Sequence, residues 1–268
     1  MKISVIIITH NQASYLEKVL AGYARQVQNP YEVIVAEDGT DSETGRVVNE
    51  FRRNVDFPVH HVSQEHIGTP RLSHARNMGT HSASGEYIIY TDGDCIPRPQ
   101  FIRDHEKLAQ PGWYVQGKRI FVKDRAFDLI QGDESTWRLF LHWMTGNITK
   151  PHLIFRVPGY WTEQKGIEGT RGCNMAAFLE DIVDVNGHNE EFVGFWRQDS
   201  EFVLRLQQAG IRRKNARYSA VLFHLPHEKV LVETDLIRNN DLLEQTQRGP
   251  VSTRHGLTMR DPVDKNTA

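Results

Sequence analysis

Residues Ile3 to Thr9 form an almost unbroken run of isoleucine and valine. A strand of that kind needs apolar cover on both faces, which is the situation of a parallel strand inside a layered α/β sheet. The next segment places Leu16, Val19, Leu20 and Tyr23 on one helical face. Glu32 to Ala36 repeats the buried-strand pattern, Val47, Val48 and Phe51 mark a second helix, and Val59 to Ser63 reads as a weaker strand. Arg71 to Ala83 is predicted helical and is stopped by Ser84-Gly85; Glu86 to Thr91 then forms the fourth strand. Such alternation predicts a doubly wound α/β sheet.

Beyond this point the pattern loosens. Trp113 to Val122 is expected to be one strand, Ala126 to Trp143 an amphipathic, aromatic-rich segment, and 144 to 172 a long loop. Met175 to Leu179 is expected to return to the sheet, Asp199 to Ala209 has helical spacing, and Arg217 to Phe223 reads as a last strand. A helix over Val230 to Gln247 and a disordered polar tail from Asp261 complete the expectation.

The fourth strand ends abruptly in Asp92-Gly93-Asp94. In open α/β sheets ligands bind beyond the carboxyl ends of the strands. A divalent cation held there by one or two carboxylates commonly completes its shell with phosphate oxygens. Asp and Gly are also favoured turn residues, so a plain turn fits the same three positions. Thr9-His10-Asn11 and Glu37-Asp38-Gly39 end the first and second strands at the same edge. A cleft lined in this way suits a nucleoside, with Asp38 accepting a base N–H, the Thr9 backbone at the base edge and Asp92 facing ribose or metal. Asn11 and Asp38 also suit caps and turns. Neither G-x-G-x-x-G nor G-x-x-x-x-G-K-[ST] is present, which argues against a dinucleotide fold of the usual kind and against a P-loop.

Lys and Arg total 32 against 34 Asp and Glu, so no global basic footprint for nucleic acid exists. Cys95 and Cys173 form no C-x-x-C pair, and a reducing compartment is the simpler expectation. The first apolar run is too short for a secretion signal and no stretch reaches membrane-spanning length. A cytoplasmic chain is expected, with peripheral attachment to the inner face of the membrane compatible with it.

Four segments carry a resemblance: Ser4 to Asn11, Val33 to Thr40, Ala75-Arg76-Asn77-Met78-Gly79 with Ser84 to Ile88, and Thr91 to Asp94. In this order they resemble the family 2 glycosyltransferases of GT-A fold. The resemblance implies a Rossmann-like, mostly parallel central sheet flanked by helices in a single domain with a C-terminal helical extension. Residues 1–110 would form the nucleotide-sugar half, 111–228 the acceptor and catalytic half, and 229–268 a helix and flexible tail. It further implies that Asp38 contacts uracil, that Asp92 serves the nucleotide with Thr9, Asn11 and Gly93 around it, and that Asp94 binds the metal. Arg76 and Arg71 become donor-site candidates. Glu37 stands where the family often has Asp, and keeps the carboxylate.

Arg171 to Ala176, Asp184 to Asp199 and Arg205 to Gly210 resemble a segment shared with β1,4-galactosyltransferases, in which a Glu-Asp pair follows a Gly/Trp-rich turn. The Asp of that pair is the general base, which points to Asp199. Gln198 replaces the Glu and weakens that neighbour's role in gripping the acceptor; Trp196 is the aromatic best placed to stack on a sugar. Trp137, Trp143, Tyr160, Trp161 and Phe195 flank the same side. His224 and His227 occupy positions where the segment supplies metal ligands, so they are expected to complete the shell begun by Asp94, around Mn2+ with Mg2+ as the alternative. The expected activity is inverting transfer of a hexose or N-acetylhexosamine from a UDP-sugar to a saccharide or glycoconjugate hydroxyl. Rival readings are a sugar nucleotidyltransferase and a metal-dependent hydrolase built on Asp92, Asp94 and the two histidines.

Overall fold

The computed structural model describes residues 1–123, 134–227 and 232–259. The chain begins with β1 (Ile3–Thr9), α1 (Ala13–Ala24), β2 (Glu32–Asp38), α2 (Ser42–Arg52), β3 (Val59–Gln64), α3 (Leu72–Ser82) and β4 (Tyr87–Asp92). These are the elements the apolar periodicity predicts, with ends shifted by a residue or two. Along β1 the side chains alternate between two cores. Val5 and Ile7 join Leu16, Val19 and Tyr23 on one face, while Ile6 and Ile8 join Ala75, Tyr90 and Phe202 on the other. Gly79 lets α3 lie flush on β1, because a Cβ there would come within 2.5 Å of Ile6.

The second half adds β5 (Cys95–Pro97), α4 (Phe101–Leu108), β6 (Trp113–Gln116), β7 (Lys118–Phe121), α5 (Thr136–Met144), β8 (Thr162–Glu163), β9 (Asn174–Phe178) and α6 (Leu179–Asp184). It ends in α7 (Gln198–Gln208), β10 (Arg212–Asn215), β11 (Val221–His224) and α8 (Glu233–Arg248). The large sheet runs β3-β2-β1-β4-β9-β6-β10-β8, and a small one runs β5-β11-β7. The four strands from the first half pair in parallel, whereas β9 enters antiparallel to both β4 and β6.

Three expectations change. The single strand over Trp113 to Val122 is two strands in different sheets, divided at Gly117. There the Asn174 side chain fills the space a Cβ would need and donates to the Lys118 and Ala220 carbonyls at 3.0 and 2.8 Å. The last strand is shorter than Arg217 to Phe223, and β10, rich in Arg and Lys, carries no apolar pattern to announce it. The 144–172 segment is not wholly irregular, since it contains a short 3-10 turn at Pro151–Leu153 and the edge strand β8. Residues 124–133 and 228–231, parts of two expected helical segments, and the tail from Asp261 lie outside the described residues.

His105 is sealed in the core beside Asn174, whose side-chain oxygen lies 3.2 Å from Nε2. Burial pushes its pKa down to about 4, against about 6.5 in an unfolded chain. Below pH ~6.5 the unfolded state therefore binds a proton that the folded state refuses, and stability falls as pH drops towards 4. Denaturant titrations at pH 7.5, 6 and 5 should show this slope, and His105→Gln should flatten it; an unchanged slope would contradict the assignment.

Candidate active site

The pairing of β11 with β5 sets His224 opposite Cys95, and the Leu225 N–H donates to the Asp94 carbonyl at 2.9 Å. From the other side the Tyr15 hydroxyl donates to the Pro226 carbonyl at 2.7 Å. These contacts bring the two imidazoles to the end of β4. Asp94 Oδ2 lies 3.0 Å from His227 Nε2 and 3.6 Å from His224 Nε2. One ligand atom from each of the three residues lies within 4.8 Å of the others. A carboxylate with two imidazoles fits Mn2+, so the residues present suit the ion. Burial pushes the His224 pKa down to about 4 and keeps the ring neutral, the form that ligates. Burial opposes ionisation of Asp94, but the His227 hydrogen bond, the neighbouring His224 and the Cys95 thiol outweigh it and hold the carboxyl below its ordinary value.

Arg76 joins the two halves of the cleft. Presented by α3 and almost wholly buried, it lies 3.6 Å from Asp92 and 3.1 Å from Asp199. Burial pushes Asp92 up to about 7, although 34% of its side chain reaches solvent; Asp94 and Asp199 add to the rise, and Arg76 and Arg119 oppose it. Asp199 does not cap α7. Arg197 holds that place with φ +74°, and Asp199 stands in the first turn, where the helix dipole favours a carboxylate. Its Oδ2 accepts the Gly172 N–H at 2.7 Å, and 24% of the side chain remains open. Gly172 has to be glycine, since a Cβ would fall 2.3 Å from both Arg76 and Asp199.

At the opposite end Asp38 is fully buried, and its carboxylate is engaged by its own chain. Gln64 donates to Oδ1 at 2.6 Å, the Arg71 N–H to Oδ2 at 2.9 Å, and His66 Nδ1 lies 3.2 Å from Oδ2. His10 reaches the Asp38 carbonyl and packs against His66 with ring centroids 4.4 Å apart. The Arg71 guanidinium turns back to the Glu65 carbonyl. Asn11 takes a left-handed conformation at the β1 edge, φ +48°. Gly93 closes this end against Thr9, whose buried hydroxyl has no partner and would sit 2.9 Å from a Cβ at position 93.

On the other side the Val193–Arg197 turn is fixed from outside. Buried Asn239 of α8 donates to the Val193 and Trp196 carbonyls at 2.7 and 2.8 Å, and the Gly194 N–H donates to Pro70 at 2.8 Å. Trp196 and Phe195 stay exposed on the turn, whereas Gln198 is 4% exposed and lies behind it with its side-chain oxygen unpaired. Of the other aromatics, Trp143 and Trp161 pack against the core, Trp161 beside Trp113 at 5.0 Å, while Trp137 and Tyr160 remain exposed. The residues not anticipated are Arg119, which donates to Cys173 at 3.2 Å, and the tethers Gly172 and Asn239. Gly172 stood inside a recognised motif; Arg119 and Asn239 carried no local signal.

The sequence model of glycosyl transferase family 2 matches residues 4–168, more than half of the chain. The chain belongs to this family. A second model, described as the N-terminal domain of galactosyltransferase, matches residues 154–228. Chondroitin synthase of Escherichia coli is 32% identical over 91% of this chain, which covers 37% of that protein. The chain thus spans well under half the length of the curated relatives it first matches. Staphylococcus aureus TarS 1–349, solved with UDP-GlcNAc, superposes with a TM-score of 0.64 at 17% identity over 92% of this chain and 66% of its own. GalNAc-T7, solved with UDP, GalNAc and Mn2+, gives 0.64 at 13% identity over 94% and 52%. These likenesses establish the GT-A fold. No described helix is long and apolar enough to cross a membrane.

Proposed function

We propose that this glycosyltransferase moves a hexose or N-acetylhexosamine from a UDP-sugar to a hydroxyl of a saccharide or glycoconjugate, with inversion at the anomeric carbon. The observation that carries the reading is the Arg76 bridge, which ties Asp199 to Asp92, two residues before the Asp94 that meets His224 and His227. Asp94, His224 and His227 would hold a divalent ion, Mn2+ in preference to Mg2+, and that ion would supply positive charge against the departing diphosphate. Arg119, facing Asp92, contributes a second positive charge there. Asp199, oriented by the Gly172 N–H and Arg76, takes the proton of the attacking hydroxyl. Trp196 offers its exposed ring to the acceptor.

Thr9, Asn11, Asp38 and Arg71 border the nucleoside end. Three of the roughly four acceptor positions of the Asp38 carboxylate are taken by Gln64, the Arg71 N–H and His66, so a base N–H would meet it at the position that remains or in place of His66. Residues 1–110 serve the donor and 111–228 the acceptor. The UDP-bound TarS and GalNAc-T7 structures support a UDP donor, and family membership weighs against nucleotidyl transfer and hydrolysis. A panel of UDP- and GDP-sugars with oligosaccharide acceptors tests the proposal. UDP release that requires both acceptor and Mn2+ is expected; release of free sugar at the same rate without acceptor would overturn it.

A further inference from the structure

Five cations lie within electrostatic reach of one another around the Phe121 ring and Gly172. Arg119 and Lys150 both lie over the Phe121 ring, at 5.0 and 5.1 Å from its centroid. The same ring packs 5.0 Å from His224. Arg171 directly precedes Gly172, whose N–H holds Asp199, and its side chain is exposed. Lys118 begins β7, and Arg217 sits exposed between β10 and β11. Arg119 has Asp92 and Cys173 to face. The other four form no ion pair with a carboxylate among the described residues, and burial, Arg213, Arg217, Lys150 and Arg171 together push the Lys118 pKa down to about 8. Lys150 is lowered by burial and then by Arg119 and Arg171, against a smaller opposing effect of the Cys173 thiol.

Cations crowded without counter-charge cost stability, and a protein whose formal charge is −2 has carboxylates to spare. The arrangement is relieved by an anion that arrives with a ligand. The donor diphosphate would be one anion in this cleft, and the reading above assigns it to Asp94, the histidines and Arg119. Arg171 stands next to the residue that holds Asp199, and Lys150 shares the Phe121 ring with Arg119.

We propose that Lys118, Lys150, Arg171 and Arg217 form a subsite for an anionic acceptor, a saccharide chain bearing carboxylate or phosphate groups near the hydroxyl to be glycosylated. This rests on the glycosyltransferase reading above and adds the charge of the acceptor to it. Lys150 and Arg171, both exposed, can be removed without disturbing the core.

Calorimetry on the full chain, with UDP and Mn2+ present, tests the subsite with three probes: a glucuronate-containing hexasaccharide, a sugar-phosphate oligomer and a neutral chito-oligosaccharide of equal length. At low ionic strength at least one charged probe should bind about tenfold or more tighter than the neutral one, and the stronger of the two distinguishes carboxylate from phosphate. The preference should shrink as salt is raised. The double variant Lys150→Ala, Arg171→Ala should bind charged and neutral probes alike while its UDP affinity stays within about twofold of the parent. Equal binding of all three probes by the parent overturns the subsite. So does a double variant whose loss appears in UDP affinity, because the cations would then belong to the donor. A parent that binds no UDP with Mn2+ overturns the UDP-donor reading on which the subsite rests, a failure separable from the first two.

Discussion

Asp199→Asn is expected to lose roughly a hundred- to ten-thousand-fold in turnover, the usual contribution of a general base. UDP affinity in the presence of Mn2+ should stay close to that of the parent. The asparagine keeps the size of the side chain and an oxygen for the Gly172 N–H, so the turn and the start of α7 should hold their places. What it removes is the capacity to take a proton, together with the charge paired to Arg76 at 3.1 Å. A buried guanidinium that loses one of two carboxylates is poorly compensated, and Asp92 at 3.6 Å is the partner that remains. A modest fall in stability is therefore expected beside the kinetic loss. Steady-state kinetics with calorimetric UDP binding separates the two effects; near-parental turnover would remove Asp199 from the chemistry.

Asp94→Ala should act on a different step. The carboxylate stands 3.0 and 3.6 Å from the two imidazoles and is the one charged member of the set that favours a cation. Removing even an outer partner of a metal ligand commonly costs ten- to a hundredfold in metal affinity, so loss of the ligand itself should cost at least roughly a hundredfold. The dependence of UDP affinity on Mn2+ should disappear. Binding of UDP measured with and without Mn2+ checks this, and a variant that retains the full Mn2+ increment would place the ion elsewhere, for example at Asp92, Cys95 and Cys173, whose ligand atoms also cluster.

The two variants also mark what could be read from the chain before its structure. The βα alternation through Asp92 was legible because β1, β2 and β4 are buried on both faces and α1 and α2 each show one apolar stripe. Asp92, Asp94, Asp199, His224 and His227 were legible as candidates through the ends of strands and the Gly/Trp-rich turn; the structure sets Asp94 with the two histidines and joins Asp92 to Asp199 through Arg76. The break at Gly117 was not legible, because it depends on the Asn174 side chain, 57 residues away in sequence, filling a Cβ position. The engaged state of Asp38 was hidden for the same reason: its donors come from Gln64, His66 and the Arg71 backbone, which only the fold assembles. Long-range tethers such as Asn77 to His188, Arg205 to the Val185 and Gly187 carbonyls, and Asn239 to the acceptor turn give no local pattern. Gln198 looked like an acceptor contact from its place beside Asp199, yet one step along a helix turns a side chain by about 100°, into the protein.

The central claim is a direct displacement in which Asp199 activates the acceptor hydroxyl on the face opposite the diphosphate. The anomeric configuration of the first product tests it most directly, followed by proton NMR during transfer from an α-linked UDP-sugar. The account predicts a β-linked product from the earliest time points. An α-linked initial product would contradict it.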